Sequence, residues 1–230
     1  MLKSRNLTLE RIDTGDYTED EYRRFLAEIA FINRYFGDVR ALYRGLLRQI
    51  AVGECDEFSL LDVGCGSGQL MLETARFAFD KKIRATLCGI DINPISAQTA
   101  KENLSRTANA FVARADAFGL PFADGSFDYV ISSLFFHHLT DDAAAKALAE
   151  MKRVSKQNVV IIDLHRHTAA LFFYKILCTA FRISPLVRHD GSLSIKRAFK
   201  PNELREIAAA AGIANPDVFR SLPFRLVLLG

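Results

Sequence analysis

Three glycines spaced two apart, Gly64, Gly66 and Gly68, follow directly on the apolar run Leu60-Leu61-Asp62-Val63 and lead into a helical stretch that begins at Gln69. A strand that turns through glycines into a helix lets the backbone approach a ligand closely, and in open parallel sheets ligands sit at the carboxyl ends of the strands. The spacing is GxGxG, with Gln69 where a dinucleotide-binding GxGxxG places its third glycine, which weakens a nicotinamide or flavin reading. A second run ends Gly89-Ile90-Asp91-Ile92-Asn93 and puts Asp91 at a strand tip, where a carboxylate either accepts both hydroxyls of a ribose or caps the next helix. A third ends Arg114-Ala115-Asp116-Ala117, and Asp116 at its tip can accept from a donor such as an exocyclic adenine amine.

All five histidines lie in three segments that follow predicted elements: His137 and His138, then His165 and His167 around Arg166, then His189. Imidazoles titrate near neutrality, so a cluster at the mouth of one site can supply a base and orient an acceptor. His138 and His165 are the candidate catalytic groups, and His137, Arg166, His167 and His189 are the candidate substrate-binding groups. A structural alternative has His137 and His138 capping the strand-to-helix loop. Four cysteines, Cys55, Cys65, Cys88 and Cys178, show neither a CxxC nor zinc-like spacing and read as reduced, mostly buried thiols.

The elements that must position these residues alternate. Ser59 to Val63, Thr86 to Ile92, Ala110 to Ala115, Phe127 to Ser132 and Val159 to Leu164 read as strands, and Gln69 to Phe79, Pro94 to Thr107 and Asp141 to Val154 as helices between them. That alternation predicts βαβ units and a parallel sheet covered on both faces. Ahead of it, Tyr22, Phe25, Ile29, Ile32 and Phe36, then Val39, Leu42, Leu46 and Ile50, mark two amphipathic helices. Behind it, Pro201 to Ala211 reads as a helix stopped by Gly212, followed by two short strands suited to an antiparallel hairpin.

Length and composition bound the rest. The chain has 230 residues and a net charge of +3, half of them apolar and a quarter charged, which fits one soluble globular domain. The longest apolar run, Thr168 to Ile183, is broken by Lys175 and Arg182 and is too short to span a membrane. The first residues lack the apolar core of a secretory signal and include acidic side chains, so a cytoplasmic location is expected. No dense basic stripe with interleaved aromatics argues for nucleic acid. The 18 phenylalanines against 6 tyrosines and no tryptophan leave an aromatic surface nearly without polar handles.

The segments LLDVGCGSG, GIDIN and RADAFGLPFADGSFDYVISSL, in this order, resemble the class I S-adenosylmethionine-dependent methyltransferases, in particular their small-molecule, UbiE-like and type 11/12 group. The resemblance implies an α/β fold: a seven-stranded, mostly parallel Rossmann-like sheet with an antiparallel last strand, N-terminal helices and a helical insertion after strand five. It implies one methyltransferase domain over 1–230, divided into a helical cap (1–54), a cofactor-binding core (55–165), a lid-like insertion (166–200), and a last helix with the closing hairpin (201–230). It implies S-adenosyl-L-methionine as cofactor. Gly64, Cys65, Gly66 and Gly68 would line its methionine part, with Asp62 positioning the turn or the ammonium group. Asp91 would hold the ribose, Ile92 would pack on the adenine, and Asp116 and the Ala117 N–H would bind its edge. Ser133 would border the methionine end.

Methyl transfer from a sulfonium is an in-line displacement of an activated donor, so the protein aligns, desolvates and, for some acceptors, deprotonates. It needs no metal, and none is expected from His165, His167 and His189. The acceptor is expected to be an apolar small molecule, phenolic, quinone-like or carboxylic, methylated on oxygen or carbon by a monomer or homodimer. The alternatives are an RNA or protein methyltransferase, or a cofactor-binding module without catalysis. The Asn/Asp-Pro-Pro-aromatic motif of base-amine methyltransferases has no counterpart at Ser132-Ser133-Leu134-Phe135. The segment Thr168 to Ser192 and helix Asp20 to Phe36 are expected to wall a hydrophobic acceptor pocket, with plain core packing as the rival.

Overall fold

The computed structural model describes residues 2–53 and 55–230. Strands β1 (Glu57–Val63), β2 (Arg84–Asp91), β3 (Ala110–Arg114), β4 (Phe127–Ser133), β5 (Ser155–Leu164), β6 (Asp217–Ser221) and β7 (Arg225–Leu229) form one sheet in the order β3-β2-β1-β4-β5-β7-β6. The pairs β1–β2, β1–β4, β2–β3 and β4–β5 are parallel, and β7 runs antiparallel to β5 and β6. Val159, Val160, Ile161 and Ile162 of β5 are all buried, as a continuous apolar run requires in a sheet covered on both faces. Strand order reverses between β1 and β4, which opens a crevice at their carboxyl ends.

Helices α1 (Arg11–Thr14), α2 (Glu19–Tyr35), α3 (Asp38–Leu42), α4 (Arg48–Val52), α5 (Gln69–Lys81), α6 (Pro94–Asn103), α7 (Asp141–Val154), α8 (Thr168–Ala180), α9 (Pro185–Arg197) and α10 (Pro201–Ala210) surround the sheet. α7 shows why these helices form and where they dock. Thr140 caps it by accepting from the Ala143 N–H, Asp141 and Asp142 fill the positive first turn, and Lys152 and Arg153 fill the last. Its buried residues Ala144, Ala147, Leu148, Met151 and Val154 recur at helical spacing on one face. Burying Leu148 and Met151 fully contributes about 1.5–3 kcal/mol each.

Two elements depart from expectation. The amphipathic stretch from Val39 to Ile50 is not one regular helix, because a π-helical turn, Tyr43–Leu47, joins α3 to α4. The insertion after β5 is two helices. α9 is obscured in the sequence by Gly191, Ser192 and Ser194, which are poor interior helix formers, although Ser184 and Pro185 carry its start signal. Gly191 is required there: a Cβ on it would lie 2.1 Å from the Tyr174 hydroxyl oxygen, whose O–H donates to the Val187 carbonyl at 2.5 Å.

Helices α2, α8 and α9 make a hydrophobic cluster of their own, with Tyr22, Phe25, Leu26 and Ile32 packed against Cys178, Ile183, Leu186 and Val187. α8 buries only Ala170 and Cys178, and it leaves Phe172, Phe173 and Ile176 at least half exposed. The apolar character of α8 is therefore not accounted for by core packing alone. Among the described residues no helix is long and apolar enough to cross a membrane.

Candidate active site

The carboxyl ends of β1, β2, β3 and β4 open into a cavity of about 1210 Å³. At its sheet end the glycine turn is fastened to β2: the N–H groups of Gly64 and Cys65 donate to the Ile90 carbonyl at 2.9 and 3.0 Å. Asp91 takes the Gly66 N–H on one oxygen at 3.0 Å and the Asn93 N–H on the other at 2.9 Å, so the β2 tip holds the turn open. Gly68 starts α5 with φ +75°, and a Cβ on it would lie 3.0 Å from Leu104 Cδ1. Gly66 also has positive φ, and a Cβ there would meet nothing within 4 Å, since that face of the turn is open. The Ser132 hydroxyl donates to the Val63 carbonyl at 2.7 Å and locks the tips of β1 and β4 together.

Asp62, Gly64, Cys65, Gly66, Asp91, Ile92, Asp116, Ala117 and Ser133 all line this cavity, and Gly68 stands behind the turn against Leu104. Asp62 is 2% exposed and takes no hydrogen bond from the described residues. Desolvation, then the charge of Asp91, pushes its carboxyl up to about 7. A buried carboxylate without a partner beside an open backbone cradle fits a ligand with a cationic amine. Ile92 is 59% exposed and lines the cavity together with Asp116 and Ala117. Burial raises the Cys65 thiol well above its ordinary value, so it fills space and is not a nucleophile. The Ser133 hydroxyl donates to Asp38 at 3.0 Å, and Asp38 is fully buried in an ion pair with Arg225 at 2.6 Å. The residues present fit the expected S-adenosylmethionine: Asp62 could hold its ammonium, Asp91 its ribose, and Ile92 with Asp116 and the Ala117 N–H its adenine.

The histidine expectation divides. His137 and His138 reach the cavity on a short 3₁₀ turn after β4. His137 is buried, with Nδ1 2.7 Å from Asp163 Oδ1, while its own N–H donates to the second Asp163 oxygen at 2.9 Å. Asp163 is held below the ordinary carboxylate range by His137 against the opposing effect of burial. His138 Nδ1 lies 2.7 Å from Asp13 Oδ1. Facing both rings is Glu10, 1% exposed, with Oε2 accepting from the Ser194 hydroxyl and Oε1 unpartnered. Burial raises its carboxyl to about 7 against the pull of His138, Ser194 and Arg197.

His165, Arg166, His167 and His189 do not line the cavity, and their expected placement at the mouth is corrected. Directly after β5, residues 165–167 turn away from the cavity before α8 returns to its wall. The His165 N–H donates to the Phe224 carbonyl at 2.9 Å, the residue bridges to Phe199, and burial with nearby Arg220 lowers its imidazole to about 4. The Arg166 side chain is fully buried, pairing with Glu203 and donating to the Ala198 carbonyl at 2.6 Å, which pins α10. His167 is exposed and caps α8 by accepting from the Ala169 N–H. His189 is exposed on α9 and meets Asp190 at 2.7 Å.

Three residues that build the site, Glu10, Asp13 and Asp163, were not singled out by sequence. Glu10 and Asp13 arrive on the N-terminal strap, which no periodicity marks. Arg197 threads behind the histidines, donating to the carbonyls of His137 at 3.1 Å and His138 at 2.7 Å. Asp163 was legible in principle, because a carboxylate closing the buried run Val159 to Ile162 demands a partner. Beyond the polar end the chamber is apolar, walled by Leu26, Ile29 and Phe36 of the α2 side and Phe173, Leu177 and Phe181 of the α8 side.

Comparison with known proteins agrees with this fold. The family described as a methyltransferase domain matches residues 61–162. A malonyl-acyl-carrier-protein O-methyltransferase of Geobacter sulfurreducens is 35% identical over 164 residues, covering 70% of this chain and 57% of that protein. The chain thus spans little more than half the length of this relative. The ubiquinone/menaquinone biosynthesis C-methyltransferase UbiE of Geotalea uraniireducens is 26% identical over 221 residues, 88% of this chain and 90% of its own length. Among solved structures, human N-acetylserotonin methyltransferase in complex with the cofactor has a TM-score of 0.65 at 17% identity, over 92% of this chain and 56% of that one. An S-adenosylmethionine-dependent methyltransferase of Aquifex aeolicus has a TM-score of 0.61 at 17% identity, over 93% and 97%. Residues 61–162 are thus a methyltransferase domain, and the chain has the fold of the class I S-adenosylmethionine-dependent methyltransferases.

Proposed function

We propose that this protein transfers the methyl group of S-adenosylmethionine to an oxygen or carbon of an apolar small-molecule acceptor, phenolic, quinone-like or carboxylic. The observation that carries the reading is the single cavity of about 1210 Å³ that runs from the glycine turn into a chamber walled by α2 and α8. Such a volume takes the cofactor and a sizeable acceptor together, and pockets of this kind are largely apolar with a few placed polar groups. The activities of the two relatives, O-methylation in one and C-methylation in the other, support both acceptor atoms.

The bound cofactor supplies the activated methyl group. The chain's own residues do the rest. Asp62, the glycine turn and Asp91 would hold the donor at the sheet end of the chamber. Leu26, Phe36, Phe173 and Phe181 exclude water around the acceptor. Glu10, His137 and His138 form the polar end, where an acceptor hydroxyl or enol is oriented and gives up its proton. Asp163 and Asp13 hold the two imidazoles in place. An aligned donor and acceptor in a dry chamber need little further chemistry.

Incubation with methyl-labelled cofactor and cell extract, split into organic-soluble, protein and nucleic-acid fractions, tests the acceptor class. Label is expected in the organic fraction and absent with the Asp91→Ala variant. Label confined to RNA or protein overturns the small-molecule reading.

A further inference from the structure

One ligand atom each from Glu10, His137 and His138 lies within 4.8 Å of the other two. They come from two distant parts of the chain and face the cavity beside the glycine turn. In both imidazoles Nδ1 is occupied by a carboxylate, Asp163 for His137 and Asp13 for His138, each at 2.7 Å. Each ring therefore keeps Nε2 for another partner. His137 Nε2 lies 3.9 Å from Glu10 Oε1, too far for a hydrogen bond. That oxygen is buried and has no hydrogen-bond partner among the described residues, although an orphaned buried carboxylate oxygen is costly.

We propose that Glu10, His137 and His138 form a binding site for a divalent transition-metal ion that is open to the cavity and holds an oxygen of the acceptor. The holding of the acceptor rests on the methyl-transfer reading; the metal site does not.

Four features carry the inference. Two imidazoles and one carboxylate are the donor set of sites with three protein ligands and an open position, suited to zinc or iron(II) more than to magnesium or calcium, which want oxygen ligands throughout. The hydrogen bonds from Nδ1 to Asp163 and Asp13 are the outer-shell contacts that orient metal-binding histidines and raise their basicity. The spacing is within reach: ligands around a tetrahedral ion with bonds of about 2.0–2.1 Å stand about 3.3 Å apart, against 3.9 Å between His137 Nε2 and Glu10 Oε1 and at most 4.8 Å within the set, so side-chain movement must draw the three together. The charge balance also suits a cation. Arg197 Nε is 3.8 Å from Glu10 Oε1, but Asp13, Asp163 and Asp190 are nearby carboxylates. Arg197 already gives its N–H groups to the carbonyls of Thr8, His137 and His138 and to Asp13.

An acceptor hydroxyl seated on the open position is more acidic than in water and releases its proton to solvent. The freed oxygen lone pair forms the new O–CH₃ bond as the C–S bond breaks, and that electron pair leaves on sulfur as S-adenosylhomocysteine. The ion changes neither charge nor oxidation state.

The test is titration of chelator-treated full-length protein with Zn²⁺ by calorimetry and with Co²⁺ by visible absorption, with Mg²⁺ as the comparison. One equivalent of Zn²⁺ or Co²⁺ is expected to bind, with Mg²⁺ binding far more weakly. Affinity is expected to fall at least about tenfold in Glu10→Gln and in His138→Ala, and about 10- to 100-fold in Asp13→Asn, which removes the charge behind His138 and weakens the pair with Arg197 but takes away no ligand. His167→Ala and His189→Ala, which remove the two exposed histidines, are expected to bind as the wild type does. Unaltered cofactor affinity and far-ultraviolet circular dichroism identify the variants that fold. No stoichiometric binding, equal binding by Glu10→Gln and His138→Ala, or loss in His167→Ala or His189→Ala would overturn the site. Metal binding is read without turnover. An absence of methyl transfer to any acceptor therefore sinks the functional reading alone, and an absence of metal with transfer intact sinks this site alone.

Discussion

Asp62 offers the sharpest quantitative test of how the cofactor is held. Its carboxyl is buried without a hydrogen bond from the described residues, and desolvation with the nearby charge of Asp91 lifts it from 3.8 to about 7. An acid whose folded value is raised contributes stability that is fully present below about pH 4 and lost as pH rises through about 7. At about 1.4 kcal/mol per unit over roughly three units, ionising Asp62 weakens the cofactor-free fold by up to about 4 kcal/mol at alkaline pH. A methionine ammonium docked against it reverses the preference, because the cation binds the ionised form. The ionised fraction falls about eightfold from pH 7.5 to pH 6. The cofactor's own amine gains protons near pH 7.8 over the same interval, which trims the expected loss of affinity to about sixfold. Binding at pH 6 should also release close to one proton.

Calorimetric titration with S-adenosylmethionine at pH 6 and pH 7.5, in two buffers of different ionisation enthalpy, reads both quantities. Asp91 is raised by burial too, but the N–H groups of Gly66 and Asn93 oppose the rise. Asp62→Asn separates the two carboxylates: it should flatten the pH dependence, weaken binding at pH 7.5 and make the cofactor-free protein more resistant to urea there. An affinity constant within twofold across this range with no proton released would refute the reasoning, as would a wild-type slope in Asp62→Asn.

Other variants address the supports of the site. Arg225→Met strands the fully buried Asp38 with only the Ser133 hydroxyl, so it should cost about 3–5 kcal/mol in urea unfolding, and adding Asp38→Asn should recover much of that loss. Gly68→Ala places a side chain at φ +75° and 3.0 Å from Leu104, and the unfolding free energy should fall by at least about 1–2 kcal/mol. Arg166→Met breaks the buried pair with Glu203 away from the cavity. Its thermal midpoint should drop while calorimetric cofactor affinity stays at the wild-type value; a weakened cofactor would return Arg166 to the site.

How much of this was legible in the sequence follows from how local each feature is. The glycine turn, Asp91 and Asp116 each sit at the junction of one strand with the segment after it, so a few consecutive residues fix both the element and the direction of the side chain. The histidines share that setting, yet only His137 and His138 reach the cavity. Their turn leaves β4 at the crevice, where β1 lies alongside. The segment after β5 is instead held by pairing of His165 with Phe199 and Phe224, contacts made by residues far along the chain. Sequence spacing registers that a histidine follows a strand; it does not register which distant segment claims the exit. Glu10 is the extreme case. It lies in a polar stretch that forms only the short helix α1, and nothing in its neighbours distinguishes it from a surface acid. It is buried because Asp190 accepts the N–H groups of Arg11 and Ile12 and Arg5 donates to the carbonyl of Leu139, which ties the strap across the cavity. The cofactor half of the site is thus written in contiguous motifs, whereas the half that would select and activate the acceptor is assembled from three separated segments by buried ion pairs and backbone hydrogen bonds. A single substitution at the strap's anchor on α9, such as Asp190→Asn, should therefore disturb the Glu10 end while leaving the glycine turn intact.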